Sequence, residues 1–207
     1  RLFSHRAFKA SWPVKFFLLV VGASTAENPV LGWASDHRVH HKYEDTEKDP
    51  YNINEGFFFA HMGWIMLKTY KPSPLGKDLL ADKMVMWQHN YYYPIMIISN
   101  LIPFVIFYLL TGALIGSFAF VVMLRLVLVH HVTYFINSYC HTFGNKPYDD
   151  ALTAKDSSLI SFLTFGESYH NFHHAYQLDY RNGYRWYNID ATKWILWTWE
   201  KMGLVSD

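Results

Sequence analysis

The sequence has a single cysteine and few charged residues. Cys140 alone cannot form an internal disulfide, which excludes a small disulfide-stabilised domain. Only 17% of the 207 residues are charged, whereas soluble domains carry roughly 25%. The formal net charge of +1 argues against a nucleic-acid partner. The chain instead has 51% hydrophobic and 19% aromatic residues, a composition that favours contact with a membrane–water boundary.

Two long apolar stretches predict a transmembrane hairpin. Residues 94–110 contain no charged side chain, and residues 113–136 contain only Arg125, His130 and His131 as ionisable groups. Each stretch approaches the roughly 20 residues that a membrane-spanning helix needs. The turn between them is short and uncharged. The sequence therefore predicts an all-α integral membrane protein, in which a transmembrane helical hairpin is joined to cytosolic or interfacial helices.

Three histidines occur twice at the same spacing, as HRVHH at 37–41 and as HNFHH at 170–174. Positions i, i+3 and i+4 share one face of a helix, so each motif predicts a helix that presents three imidazoles together. Because the hairpin crosses the membrane twice between the motifs, all six histidines lie in one aqueous compartment. The positive-inside rule makes this compartment the cytoplasm of an inner bacterial or endoplasmic-reticulum membrane. The flanking lysines on this side are Lys68, Lys71, Lys77, Lys83, Lys146 and Lys155.

Eight histidines together indicate a metal centre. Neutral imidazole suits iron, copper, zinc and nickel, and eight such groups exceed the four ligands of a tetrahedral zinc site. Asn137 precedes His141 by four residues and shares its helix face. We therefore expect two metal ions with positions left open for a small molecule. The candidate ligands are His5, His37, His40, His41, His141, His170, His173 and His174.

The motifs and their order resemble those of the membrane fatty acid desaturases, in particular the Δ9 acyl-CoA (stearoyl-CoA desaturase) type. The likeness covers essentially the whole chain. It is carried by RLFSH at the start and by GWASDHRVHHKY, NSYCHTFGNKPYD and GESYHNFHHAY. The resemblance implies that the eight histidines bind two irons, that Asn137 contacts iron through water, and that a ninth histidine immediately precedes Arg1. Residues 1–207 would then be a desaturase domain fragment that lacks an N-terminal transmembrane region.

The resemblance also implies a reaction, the oxygen-dependent insertion of a cis Δ9 double bond into a saturated acyl chain. Such a chain has no acidic proton or polarised bond, so acid–base chemistry alone cannot break its C–H bonds. The substrate would be an acyl-CoA, or an acyl chain attached to another carrier. Two electrons would come from an external donor such as cytochrome b5 or ferredoxin with its reductase, since the sequence has no haem or iron–sulfur ligand set of its own.

A tunnel for the acyl chain is implied as well. Thr133, Asn137 and His141 form an i, i+4, i+8 stripe that runs along the second predicted span towards the metals. Glu27 stands where relatives have Gln. Ser35 and Thr69 replace basic residues of the animal enzymes, which leaves the identity of the carrier open. The tunnel and head-group residues that the resemblance implies are Trp33, Glu27, Thr133, Tyr134, Asp36, Arg38 and Lys68.

Three other interpretations remain at this point. A di-iron membrane hydroxylase or ketolase would use the same motifs but would insert oxygen. A membrane cytochrome would use paired histidines for haem, although it would place them within the spans. A zinc hydrolase would need a catalytic carboxylate, for which Glu167 is the close candidate, three residues before His170.

Overall fold

The computed structural model describes residues 1–67 and 73–206. The helices are α1 (Trp12–Ser24), α2 (Val30–Lys42), α3 (Trp64–Leu67), α4 (Lys77–Ala81), α5 (Lys83–Asn90), α6 (Tyr92–Thr111), α7 (Leu114–Ser117), α8 (Arg125–Thr142), α9 (His170–Ala175) and α10 (Ala191–Lys201). A 3₁₀ turn at Ile53–Glu55 and π-helical turns at Phe59–Gly63 and Phe118–Leu124 also occur. The antiparallel strands β1 (Lys9–Ala10) and β2 (Val205–Ser206) pair Lys9 with Ser206. The predicted head-group residue Lys68, together with Thr69 and Lys71, lies outside the described residues.

Contacts divide the chain into two compact units. The histidine unit comprises Arg1–Ser11, Asp36–Ser73 and Val132–Asp207, and the hairpin unit comprises Trp12–Ser35 and Pro74–His131. Helices α2 and α8 each begin in the hairpin unit and end in the histidine unit. Both HxxHH motifs therefore belong to the same unit.

Two helices are long and apolar enough to cross a membrane. These are α6 and the continuous helical stretch Leu114–Thr142, with mean hydropathies of 2.0 and 1.9. Only 0% and 6% of their apolar windows are buried, so their apolar side chains face outward, as contact with lipid would require. Gly112 ends α6 with a φ of 69°, a left-handed conformation that glycine adopts without steric cost. The predicted helical hairpin is confirmed, with a second helix that extends beyond residue 136.

The hairpin unit provides partners for Arg125. Its guanidinium group donates to the carbonyl oxygen of Ser24 at 3.0 Å and to the side-chain oxygen of Asn100. The Nε atom also donates to the carbonyl of Val121, at 3.2 Å. An arginine in an apolar helix is costly unless such oxygens surround it. Its role here is structural.

The histidine unit has an unusually polar interior. Among its fully buried side chains, the largest are mostly polar, whereas the corresponding residues of the hairpin unit include Leu19, Leu31 and Val85. Buried polar groups stabilise a fold only when each has a partner. The buried polar residues concerned are His40, His170, Asn171, Asn182, Asp49 and Asp190.

Helix α9, which carries the second HxxHH motif, is held by the half-buried Asp156 and the buried Asn171. The Asp156 carboxylate accepts from the backbone N–H groups of Asn171 and Phe172, at 2.8 and 3.1 Å, and so caps the start of the helix. The Asn171 side chain accepts from the N–H of Tyr148 and donates to the carbonyl of Ala154. A helix of only six residues is not stable alone, so these contacts fix the orientation of its histidines.

We predict that Asn100→Leu lowers the free energy of unfolding by about 1.5–3 kcal/mol, because Arg125 loses an acceptor in apolar surroundings. Denaturation of the purified protein in detergent, followed by tryptophan fluorescence, measures this. Ser99→Ala is the matched control, since Ser99 bonds only to Met96 of its own helix. Asn100→Leu combined with Arg125→Leu should cost less than the sum of the two single changes. Strict additivity would show that the pair does not interact.

Candidate metal centre

The structure brings the eight predicted histidines together as two groups of four. Within each group the candidate ligand nitrogens all lie within 4.8 Å of one another. Each HxxHH motif contributes to both groups, so the motifs interleave. The first group is His5, His37, His41 and His173, and the second is His40, His141, His170 and His174.

In the first group the Nε2 atoms converge. His37 Nε2 lies 2.8 Å from His5 Nε2, 3.0 Å from His41 Nε2 and 3.5 Å from His173 Nε2. A neutral imidazole nitrogen carries either one proton or one lone pair, so His37 cannot satisfy three such neighbours by hydrogen bonding. One cation shared by four lone pairs would satisfy them all.

In the second group oxygen acceptors hold three of the four Nδ1 atoms. His40 Nδ1 is 2.9 Å from Asp49 Oδ1, and His174 Nδ1 is 3.0 Å from Glu44 Oε2. His141 Nδ1 is 2.8 Å from the Thr153 hydroxyl. These contacts place the proton on Nδ1 and leave the Nε2 lone pairs to face the centre of the group. Metal-binding histidines commonly have this arrangement.

The Glu44 carboxylate connects three parts of the histidine unit. It also accepts from the Thr153 hydroxyl at 3.0 Å and from the backbone N–H groups of Thr153 and Ala154, both at 3.1 Å. The same Glu44 oxygen, Oε1, also lies 3.7 Å from His141 Nδ1, which is a longer contact. The segment after α2 thereby fixes ligand candidates from both α8 and α9.

Burial sets the charge state of the centre. Desolvation by burial lowers the imidazole pKa, to about 3 for His5, and nearby positive charges add to the shift. The hydrogen bond from His174 holds the pKa of the Glu44 carboxyl below its usual range, although burial acts in the opposite direction. The imidazoles with a lowered pKa are thus neutral near pH 7, and Glu44 is ionised. Outside the two long apolar helices, the other histidines with a lowered pKa are His37, His41, His170, His173 and His174.

Several buried ring nitrogens have no hydrogen-bond partner in the part of the chain that the structure describes. In the second group two of them are the inward-facing Nε2 atoms of His40 and His141. Leaving such atoms unsatisfied is costly, and a bound cation would remove that cost. A donor set made of neutral nitrogens suits a transition metal rather than magnesium or calcium. The residues therefore fit two metal ions. The unpartnered atoms are His40 Nε2, His141 Nε2, His41 Nδ1, His170 Nδ1 and His173 Nδ1.

Sequence reasoning did not single out Glu44 and Asp49. Both accept from histidine Nδ1 atoms and so orient the rings. A signal was present in the sequence, because metal-binding histidines need carboxylate or carbonyl partners for their second nitrogen. Four acids follow HRVHH within ten residues and could have been proposed for that role, although the sequence does not show that Glu44 and Asp49 are the two that fill it.

The predicted residues on α8 are spaced one helical turn apart, as expected. Thr133 and Asn137 lie two turns and one turn before His141. Asn137 is half-buried. The Tyr134 ring contacts the His61 ring, with centroids 5.7 Å apart. The water-mediated metal contact of Asn137 and the tunnel roles of Thr133 and Tyr134 stay predictions.

The predicted head-group residue Arg38 binds backbone oxygens. Its Nε donates to the carbonyl of Ser4 and its NH2 group to the carbonyl of Phe3, each at 2.7 Å. These bonds attach the segment that carries His5 to helix α2. Arg38 therefore positions a candidate ligand, whatever else it contacts.

The other predicted substrate residues lie in different units. Asp36 belongs to the histidine unit, is half-buried and bonds to Ser73, and burial raises its pKa to about 6. Trp33 and Glu27 belong to the hairpin unit and are also half-buried. Their assignment to an acyl tunnel stays a prediction.

Two helices apolar enough to cross a membrane and two four-histidine groups that could each hold a metal ion indicate a class of membrane-associated, metal-binding proteins. Comparison with known proteins narrows this class. The sequence model described as "Fatty acid desaturase" matches residues 1–205. The chain belongs to the fatty acid desaturase family.

Relatives of the chain are named acyl-CoA or stearoyl-CoA desaturases. The chain is 41% identical to a "Probable acyl-CoA desaturase" of Schizosaccharomyces pombe, over 99% of this chain and 43% of the relative. It is 36% identical to "Acyl-CoA desaturase 1" of Saccharomyces cerevisiae, over 100% of this chain and 41% of the relative. It is 37% identical to "Stearoyl-CoA desaturase" of Mesocricetus auratus, over 100% of this chain and 61% of the relative. The chain thus spans less than two thirds of the length of these relatives.

We predict that Glu44→Gln weakens metal binding by about 10–100-fold, because His141 and His174 lose their charged partner. Competition between the purified protein and a chelator for Fe²⁺ or Zn²⁺ measures the affinity. Glu47→Gln makes the same change at an exposed position nearby and should leave the affinity unchanged. Equal affinities for both variants would contradict a role for Glu44 in the centre.

Proposed function

We propose that the protein is an oxygen-dependent desaturase that inserts a cis double bond, at Δ9, into a saturated fatty acyl chain. The observation that carries this proposal is the pair of buried, interleaved four-histidine groups. Membership of the desaturase family supports it. The names of the relatives favour acyl-CoA as the substrate, with another acyl carrier as the alternative.

In this proposal each four-histidine group holds one iron. Reduced iron would supply the activation of dioxygen that removal of hydrogen from unactivated methylenes requires. Neutral imidazole ligands would leave the positive charge on the metals. Asp49 and Glu44 keep the ring orientation, and six of the eight histidines are buried. Asn137 would reach the centre through a water molecule.

The remaining assignments follow from the same proposal. Thr133, Tyr134, Trp33 and Glu27 would line the acyl tunnel, and Asp36, Arg38 and Lys68 would lie on the side of the carrier. Electrons would come from cytochrome b5 or a ferredoxin with its reductase. The two apolar helices and the family support an integral membrane protein, and we propose that its active site faces the cytoplasm.

The geometry disfavours two of the alternatives. Four imidazoles around one point leave no plane for a porphyrin, which argues against a membrane cytochrome. Glu167, the candidate base of a zinc hydrolase, binds Arg1 at 2.8 Å and Asn182 at 2.6 Å. The hydroxylase or ketolase alternative differs in product, and gas chromatography of the lipids would distinguish an alkene from an inserted oxygen.

Alanine at any histidine of the two motifs should abolish desaturation, because each provides a coordination position that no neighbour can fill. The full-length gene is expressed in a desaturase-deficient host, and the membrane fatty acids are analysed for the new double bond. His89→Ala serves as a control, since His89 is exposed and lies in the hairpin unit. Full activity in two or more of the motif variants would refute the di-metal assignment. The six residues are His37, His40, His41, His170, His173 and His174.

Iron content gives a second test. The intact protein purified under adequate iron should contain about two irons per chain, one for each four-histidine group. Zinc can replace them during overexpression, since it accepts the same ligands. Elemental analysis measures the iron and zinc content, and an absorption spectrum shows whether haem is present. A Soret band with stoichiometric haem would support the cytochrome instead.

A further inference from the structure

The side chain of Arg1 is buried beside the segment that carries His5. It is only 6% exposed. Its Nε donates to Glu167 Oε1 at 2.8 Å, and one terminal nitrogen donates to the carbonyl of Tyr180 at 2.6 Å. Both terminal nitrogens donate to the Asp190 carboxylate, at 3.2 and 3.3 Å. The guanidinium group thus uses its planar set of donors on three acceptors at once, which a lysine ammonium group cannot do.

The two carboxylates that bind Arg1 are themselves held in place. Asp190 is 0% exposed and accepts from the backbone N–H groups of Asn182 and Gly183, at 2.9 and 3.0 Å. Glu167 Oε2 accepts from the side-chain amide of Asn182 at 2.6 Å. Because a buried charge is tolerated only when its partners are well placed, these contacts give the guanidinium group one defined position.

This position connects two parts of the histidine unit that supply candidate metal ligands. Glu167 lies in the turn before helix α9, which begins three residues later. His173 of α9 belongs to the first histidine group together with His5. The bond between Arg1 and Glu167 therefore attaches the segment of His5 to the start of the helix that carries His173.

The first histidine group is held differently from the second. Arg38 attaches the backbone of the His5 segment to α2, and Arg1 attaches the same segment to the turn before α9. In the part of the chain that the structure describes, the Nδ1 atoms of His41 and His173 have no hydrogen-bond partner. The ring directions in this group therefore depend more on how the backbone segments are attached than on acceptors for Nδ1.

We propose that Arg1 is a positioning residue for the metal ion of the first histidine group, and that it acts by holding His5 within reach of that ion. Its bonds to Glu167 and Asp190 provide the attachment. Without them Arg38 alone would hold the His5 segment, so that this ligand would leave the ion more often. The inference rests on the metal centre of the proposed function, and it gives Glu167 a role in orientation rather than in catalysis.

Metal release from the full-length protein tests this inference. Arg1→Lys keeps the positive charge among the buried carboxylates but loses the planar set of donors. Glu167→Gln removes the charge of the partner and keeps an oxygen acceptor. Arg6→Lys is the matched control, since it makes the same change at an exposed position of the same segment. The Zn²⁺-loaded proteins are mixed with an excess of a chromophoric chelator, and each variant is measured with and without His5→Ala.

We expect Arg1→Lys and Glu167→Gln to release one of the two ions roughly tenfold faster than the wild type, and Arg6→Lys to release both at the wild-type rate. Once His5→Ala is present, Arg1→Lys should cause no further acceleration, because the ligand through which it acts is absent. Wild-type release rates in both variants, or the same acceleration with and without His5, would overturn the inference. Arg1-dependent release from a protein that forms no alkene would refute the proposed desaturation alone.

Discussion

The arrangement of the histidine unit depends on the convergence of uncharged imidazole lone pairs in a buried space. Crowded, desolvated nitrogens repel one another and lack partners, which destabilises the fold unless a cation occupies the centre. Burial lowers the pKa of these rings because it removes water from the protonated form, and the crowding of neighbouring rings adds to the shift. Metal binding and proton binding therefore compete for the same atoms, and burial favours the metal.

The surrounding polar interior follows from this constraint. A held Nδ1 atom fixes the direction of the Nε2 atom, and in the second group Asp49, Glu44 and Thr153 hold three of the four rings in this way. The backbone that carries the rings must be fixed as well, which Asp156 and Asn171 achieve for α9. This is why hydrogen-bonded polar side chains occupy positions where an ordinary core would have leucine or valine.

Local patterns predicted much of this organisation. The spacing of HRVHH and HNFHH predicted helices with three histidines on one face. The two long apolar stretches predicted α6 and the helix Leu114–Thr142. The partition of the ligands did not follow from local patterns, because it depends on how α2, α8 and α9 meet. Glu44 and Asp49 were missed for a related reason, since a polar loop of HKYEDTEKDP type is expected to be solvated. Only the tertiary contacts show that these two side chains turn inward.

The interleaving of the two motifs has a thermodynamic consequence. Helix α2 presents His37 and His41 to the first group and His40 to the second, whereas α9 presents one histidine to the first group and two to the second. An ion bound in one group must align both helices, which at the same time orders the ligands of the other group. The first binding event therefore bears most of the entropic cost of ordering, and the second is correspondingly more favourable. Loading should be positively cooperative, so that chains with a single ion stay scarce across a range of metal supply.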